Sequence, residues 1–351
     1  MDVAVLLSGG VDSSVALALL KRQGYRPTAF YLKIWLEDEL ASLGQCPWEE
    51  DLSYVRAVCA QEGVPLEVLS LQRVYWDTIV TYTISEIKKG HTPNPDVLCN
   101  SRIKFDAFLK AIGSTFHYSA SGHYAQVRQE TDGTPALFCS PDVVKDQTYF
   151  LAHMNVEQFS QILFPIGHLT KAEVRMLAQA YNLPNKDRKD SQGLCFLGKL
   201  KFSDFIKYHL GEKPGLIVEE ESGIVLGEHK GFWYYTIGQR QGLRLAGGPW
   251  YVVRKDIERN VVFASRDYYN HDKKRDTCTI RSCNWLAAPT AVSTLEVKLR
   301  HGVSRHGCRL DMTNAKPRLY LNGSDQGIAP GQFAVFYDGY RCLGSGIIDG
   351  W

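Results

Sequence analysis

A five-residue apolar run, Val3–Leu7, stops at Ser8-Gly9-Gly10-Val11-Asp12-Ser13-Ser14, and apolar residues then recur with helical spacing from Val11 to Leu20. A short run without polar alternation reads as a strand buried on both faces, the habit of parallel sheets. Parallel neighbours need a crossover between them, and a helix usually supplies it. The chain keeps that rhythm. Thr28–Trp35 reads as a second strand, Leu52, Val55, Val58 and Cys59 fall on one helical face, and Pro65–Leu69 reads as a third strand. Ile79, Val80, Thr83, Ile84 and Ile87 predict a helix stopped by Gly90 and Pro93, and Ile103–Ile112 predicts another before a strand at Tyr118–Ser121. Thr170 and Glu173 carry the capping-box signature of a further helix. The fold class expected for residues 1–200 is α/β, a doubly wound parallel sheet.

Beyond residue 200 the rhythm changes. A short helix at Phe202–Leu210 leads into glycine-punctuated strands at Leu216–Val218, Ile224–Leu226, Trp233–Ile237, Tyr251–Arg254 and Val261–Ala264. The polar stretch Tyr268–Asp276 reads as a linker. Further short strands are expected at Val292–Leu299, Arg309–Met312, Arg318–Leu321, Phe333–Tyr337 and Cys342–Ile348. The expected division is a catalytic domain over 1–200, a small central β-rich domain over 201–272 and a C-terminal β-barrel over 273–351.

No apolar run approaches the ~18 residues a membrane span needs, and Val3–Leu7 has no basic leader, so neither an anchor nor a signal peptide is expected. Charge is uneven: residues 1–200 hold 19 basic and 22 acidic residues, whereas 201–351 hold 21 and 16. A basic C-terminal half points weakly to a polyanionic partner. The nine cysteines include no Cys-x-x-Cys pair, which argues against a zinc ribbon and for a reducing compartment. No protein metal site is expected.

The glycine-serine turn has a chemistry of its own. Glycines let the backbone approach a ligand, and the following helix offers unpaired N–H groups and a partial positive charge. Leu7, Ser8, Gly9, Gly10, Val11, Asp12, Ser13 and Ser14 are therefore candidates for holding phosphates. Asp12 is out of place beside an anion and is expected to orient the loop or to bind Mg²⁺. The Gly-Lys-Ser/Thr ending of a Walker A loop is missing. Two later loops end in cysteine. Thr92-Pro93-Asn94-Pro95-Asp96-Val97-Leu98-Cys99-Asn100 holds an acid and a thiol on a stiff turn, with Arg102 and Lys104 close enough in sequence to favour a thiolate. Asp190-Ser191-Gln192-Gly193-Leu194-Cys195-Phe196 follows the basic residues Lys186, Arg188 and Lys189.

SGGxDS at a first strand–helix turn resembles the PP-loop pyrophosphatases, which split ATP between the α and β phosphates. Together with TPNPDxxCN, Gly122–Ala125, Lys145–Leu151, DSxGxCF, Tyr235–Leu243, Pro330–Tyr337 and Cys342–Ile348, the chain resembles tRNA-specific 2-thiouridylases of the MnmA type over essentially its whole length. That resemblance implies adenylation of uracil O2 at wobble position 34 and sulfur transfer from a cysteine persulfide, with ATP and Mg²⁺. Cys195 would carry the persulfide, Cys99 would complete transfer through a transient Cys99–Cys195 disulfide or with release of sulfide, and Asp96 would serve the base as acid or base. Asn94 and Pro95 would meet the target base beside Asp96. Lys33 and Gly122 would lie at the nucleotide, and His123, Lys145, Asp146, Gln147, Arg300, His301 and Gln332 at tRNA. The family commonly has Arg-Tyr where this chain has Arg300-His301. Implied partners are tRNAs for Lys, Glu and Gln and a cysteine desulfurase or sulfur carrier, with no membrane. The implied location is the cytoplasm of a bacterial-type cell, with the mitochondrial matrix or plastid stroma as alternatives. The rival activity is another PP-loop ligase acting on a small molecule. A rival chemistry is an Fe–S cluster held by Asp96, Cys99 and Cys195, disfavoured by the incomplete ligand set.

Overall fold

The structure, a computed structural model, describes residues 1–34, 48–190, 201–270, 274–289 and 295–351. Strands in the first 190 residues are β1 (Asp2–Leu6), β2 (Arg26–Lys33), β3 (Leu66–Ser70), β4 (Tyr118–Ala120), β5 (Ala125–Gln129), β6 (Pro135–Cys139) and β7 (Ile162–Leu163). Five of them form a sheet in the order β3-β2-β1-β4-β7, every pairing parallel. The apolar run of β1 serves two cores at once. Ala4 and Leu6 join one cluster, and Val3, Val5 and Leu7 the other. Helix α1 (Val11–Arg22) follows β1, and α2 (Trp48–Glu62) follows β2. Leu52, Val55, Val58 and Cys59 of α2 pack into the cluster of Val3 and Val5. The back of α1 packs through Val11, Val15 and Ala18 on Val174 and Ala178 of α3 (Lys171–Ala180), whose capping box at Thr170 and Glu173 is formed. From β1 the order runs one way to β2 and the other way to β4. The carboxyl ends of β1 and β4 therefore border the crevice where open α/β sheets bind ligands.

The helical stretch after β3 departs from its expected regularity. Gln72–Lys88 passes through a π-helical turn at Trp76–Val80, and the short helix Pro95–Leu98 continues into π-helical Cys99–Ala107 before Phe108–Ile112. Phe105 breaks helical geometry inside the second π-helical stretch. π-Turns are uncommon and gather at functional sites.

In the central region α4 (Phe202–Leu210) precedes β8 (Gly215–Glu219), β9 (Val225–His229), β10 (Tyr251–Asp256) and β11 (Val261–Ser265), ordered β10-β11-β8-β9. The strand expected at Trp233–Ile237 is absent, and Phe232–Tyr234 is a 3₁₀ turn. Local turns take the backbone bonds a strand would use: the Tyr234 and Tyr235 amides donate to the Gly231 and Phe232 carbonyls, and the Gln239 amide to the Thr236 carbonyl. The expected linker is partly anchored: Tyr268 is buried and stacks on Tyr251, ring centroids 4.9 Å apart.

The last strands are β12 (Thr277–Trp285), β13 (Leu295–Lys298), β14 (His306–Asp311), β15 (Arg318–Leu321), β16 (Phe333–Asp338) and β17 (Arg341–Gly350). They run β12-β15-β14-β13-β16-β17, and a β12–β17 pairing closes them into a six-stranded antiparallel barrel. The hairpin β5–β6, which the sequence reading left without an element, leaves the catalytic half and extends the barrel sheet through β6 pairing on β17. Strand β16 is buried on both faces. Ala334 and Phe336 fill the barrel, while Phe333, Val335 and Tyr337 belong to the core of the catalytic domain. Burying each of those three large side chains is worth about 1.5–3 kcal/mol, so the barrel is docked through a core rather than a wet surface.

Candidate functional site

The phosphate loop is built so that nothing but glycine fits at its key points. Gly9 has φ +76°, and a Cβ there would stand 2.6 Å from the Asp51 carbonyl oxygen and 2.8 Å from Arg188 Nη1. Gly122, in the loop after β4, would place a Cβ 2.6 Å from the Ser13 amide nitrogen. The two loops at the ligand crevice therefore touch, backbone against backbone. Gly10 caps α1 with no side chain. Ser13 Oγ and Ser14 Oγ donate to the Gly10 carbonyl at 3.1 and 3.0 Å, and the Ser8 amide donates to Ser13 Oγ at 3.3 Å. Asn185, buried, donates Nδ2 to the Gly9 carbonyl and to Ser14 Oγ at 2.8 and 2.9 Å. Leu7 and Val11 are buried and hold the loop from below. The exposed Ser8 hydroxyl, the first-turn amides of a twelve-residue helix and the Arg188 guanidinium form a donor set that fits a polyphosphate.

Charged side chains surround this loop, and three of them, Asp51, Lys171 and Arg175, carry no expectation from the sequence. Arg188 pairs with Asp51 and lies over the Tyr54 ring. Asp12 accepts from Tyr124 Oη at 2.9 Å and from Lys171 Nζ at 2.6 Å. Burial first, then the charge of Asp12, pushes the Tyr124 phenol up, so it stays a donor. Lys171 also reaches Asp190 at 2.7 Å, where Lys145 and Arg175 arrive at 2.7 Å each. Burial alone would raise the Asp190 carboxyl, but hydrogen bonds from Lys145 and Lys171 overcome it and hold the group at about 2. The local signals were the capping box beside Lys171 and the basic run at Lys186–Lys189. Lys33, at the carboxyl end of β2, lies over the Trp48 ring at 4.8 Å.

Asn94 caps the helix that carries Asp96 and Cys99, with Pro95 at its first position. The strap ahead of it is held by the barrel: the Thr92 amide donates to the Pro330 carbonyl at 2.7 Å, and Gln332 Nε2 donates to the Thr92 carbonyl at 2.8 Å. Cys99 packs in the same apolar cluster as Leu6 and Ile34, at the carboxyl ends of β1 and β2, and is 1% exposed. Asp96 and Asn94 are half-buried. Arg102 lies 5.9 Å from the Tyr82 ring centroid, and Lys104 acts on His123. Cys195, with residues 191–200, lies outside the described residues.

Several residues expected at tRNA turn out to be internal. His123 is buried, bonds Ser121 Oγ at 2.7 Å and touches the rings of Phe105 and Phe164. Burial, then Lys104, pushes its imidazole well down, so it is a neutral core histidine. Asp146 is 2% exposed in its side chain and pairs at 3.1 Å with Lys298 of the barrel, equally buried. It also accepts from Thr148 Oγ at 2.8 Å and from the Ser140 amide. Gln147 Oε1 accepts the Tyr124 amide at 2.9 Å. Of these partners Lys298 lies 152 positions away from Asp146, beyond the reach of any local pattern. Arg300 is half exposed and pairs with Asp325. His301 lies against Phe150, ring centroids 4.6 Å apart.

Among the described residues no group of three or more His, Cys, Asp or Glu side chains is placed to hold a metal ion, and no helix is long and apolar enough to cross a membrane. Three family models match the chain in succession: the tRNA methyl transferase HUP domain over residues 1–199, the tRNA methyl transferase PRC-barrel domain over 203–266, and the aminomethyltransferase beta-barrel domain over 275–348. Among curated proteins the chain is 44% identical to a tRNA-specific 2-thiouridylase MnmA of Parabacteroides distasonis, across 99% of each chain. It is 45% identical to a second such protein, MnmA 2, of Bacteroides fragilis, across 99% of this chain and all of that one. A counterpart in Porphyromonas gingivalis is 44% identical over 99% of both.

Proposed function

This chain belongs to the tRNA-specific 2-thiouridylases, and on that footing we propose how its residues divide the work of replacing the wobble uridine O2 by sulfur. The observation that supports the reading is a phosphate loop at the carboxyl end of β1 together with Cys99 in the apolar cluster that also holds Leu6 of that strand end.

Ser8 to Ser14 and Gly122 bind the triphosphate of ATP, with first-turn amides of α1 and Arg188 facing charge that grows as pyrophosphate leaves. Mg²⁺ enters with the nucleotide. Lys33 and Trp48 stand at the end of β2, where the adenine would lie. Uracil O2 attacks the α phosphorus, pyrophosphate departs, and C2 becomes open to a sulfur nucleophile. Asp96, half-buried beside the base, handles the N3 proton. The outer sulfur of a Cys195 persulfide attacks C2, and AMP leaves with the former O2. Cys99 thiolate then attacks Cys195 Sγ. The S–S bond breaks toward the nucleobase, 2-thiouridine is released, and a Cys99–Cys195 disulfide remains for a cellular dithiol to reduce.

The burial of Cys99 sets a condition on this sequence: the π-helical segment it begins must shift before the thiolate can attack. Cys195 lies five residues beyond Asp190, which is tied to the phosphate loop through Lys171. The basic barrel and central domain grip tRNA, with Lys, Glu and Gln acceptors as the proposed set. A cysteine desulfurase or sulfur carrier loads Cys195, and the proposed setting is the cytoplasm.

The test is mass spectrometry of wobble uridines in tRNA treated with ATP, a persulfide donor and each variant. Cys99→Ser and Cys195→Ser are expected to lose 2-thiouridine while keeping tRNA-dependent exchange of pyrophosphate into ATP. Full thiolation by either variant overturns the sulfur relay.

A further inference from the structure

Asp12 poses an electrostatic problem that the activity leaves unsolved. It sits in the first turn of α1, within the loop that must receive a polyanion. A bare carboxylate there would repel the phosphates across a few ångströms. The structure answers with an ammonium from another helix: Lys171, the first residue of α3, lies 2.6 Å from Asp12 Oδ1. Lys171 is itself fixed. Its amide donates to Asp142 Oδ2 at 2.9 Å, its side chain is 15% exposed, and its Nζ also touches Asp190 Oδ1 at 2.7 Å. Asp190 does not depend on it, because Lys145 and Arg175 hold the same carboxylate. Asp12 has only Tyr124, a neutral donor, besides Lys171 among its described side-chain partners.

We infer that Lys171 is a positioning residue for the adenylation step, acting through Asp12: its charge cancels the carboxylate inside the phosphate loop so that the loop can accept ATP. The inference deepens the function proposed above and rests on that reading of the loop. It assigns Asp12 to loop orientation, since its Oδ1 already gathers the Tyr124 hydroxyl and the Lys171 ammonium. Lys171 need not touch the nucleotide at all, and that separates this role from direct phosphate binding.

The two roles part in a double-mutant cycle, read as equilibrium binding of α,β-methylene-ATP with Mg²⁺ to the full chain by calorimetry. Lys171→Met leaves Asp12 bare, and binding is expected to weaken about 10- to 100-fold, the effect of one unpaired charge several ångströms from phosphate at an effective dielectric near 20. Asp12→Asn keeps the shape of the loop without the charge. In that background Lys171→Met should cost less than about threefold, so the double variant binds much better than Lys171→Met alone. Lys171→Arg, which keeps the charge, should stay within a few-fold of wild type. If Lys171→Met proves too unstable to assay, the comparison of Asp12→Asn with the double variant still decides. A double variant as weak as Lys171→Met, or a Lys171→Met chain that binds like wild type, overturns the inference. A wild-type chain that fails to bind the analogue overturns the reading of the loop as an ATP site, and the inference with it.

Discussion

Lys298→Met should be among the most damaging single changes outside the crevice. Lys298 Nζ lies 3.1 Å from Asp146 Oδ2, with both side chains 2% exposed, and it joins the barrel to a loop of the catalytic domain. Removing one partner of a buried pair costs about 3–5 kcal/mol, because the other charge stays buried without compensation. Here Thr148 Oγ and the Ser140 amide go on donating to Asp146, which argues for the lower end, about 3 kcal/mol. At about 2–4 °C per kcal/mol for a cooperative unit of roughly 150–250 residues, the melting temperature should fall by ~6–12 °C. Differential scanning calorimetry on the full chain reads this directly. Asp146→Asn together with Lys298→Met removes both charges and should recover more than half of the loss. A Lys298→Met variant melting within ~2 °C of wild type would refute the reasoning, for the neutral donors would then suffice to hold Asp146.

Gly9→Ala forces a side chain onto the Asp51 carbonyl at positive φ; pyrophosphate exchange should fall at least about tenfold, and the ~1–3 kcal/mol of strain should lower the melting temperature by several degrees. Acid should loosen the molecule in two stages, followed by hydrogen exchange. Burial, then Arg102, pushes His153 down to about 4, so stability present at neutral pH falls between about 6.5 and 4 as the unfolded chain binds a proton that the folded one refuses. Asp190, held at about 2, adds stability that is present above about 4 and lost as pH falls through 2; His153→Gln should flatten only the upper stage. Gln332→Ala frees the Thr92 carbonyl and should raise the KM for tRNA several-fold without altering binding of the ATP analogue.

Local pattern carried the strand–loop–helix start, the parallel sheet and most barrel strands, because each depends on residues near in sequence. β1 was legible as a run without alternation, for Ala4 and Val5 face different cores. The pairings that matter most at the site were not legible. Lys171 meets Asp12 across 159 positions, and Asp146 meets Lys298 across 152; nothing in a polar loop declares that its charge will be buried. Asp146 sits in a stretch that reads as a solvated polar turn for this reason. The π-helical turn at Cys99 escaped because one extra residue in a turn leaves no compositional trace, and the burial of that thiol follows from a core assembled by distant segments. Trp233–Ile237 misled in the other direction, since its alternating aromatic and apolar residues do share one core, as a strand's would, while its backbone bonds go to local turns.

The hairpin β5–β6 gives the chain a timetable. Its partner β17 begins at Arg341, about 200 residues after β6 ends at Cys139. At a synthesis rate of ~5–20 residues per second, the hairpin leaves the ribosome ~10–40 s before the strand that will cover its edge exists. During that interval Leu137 and its neighbours present an unpaired strand edge, a template for pairing with other chains. The parallel sheet of the catalytic half can form in that interval, but the part of its core that Phe333, Val335 and Tyr337 fill stays incomplete until the barrel strands arrive.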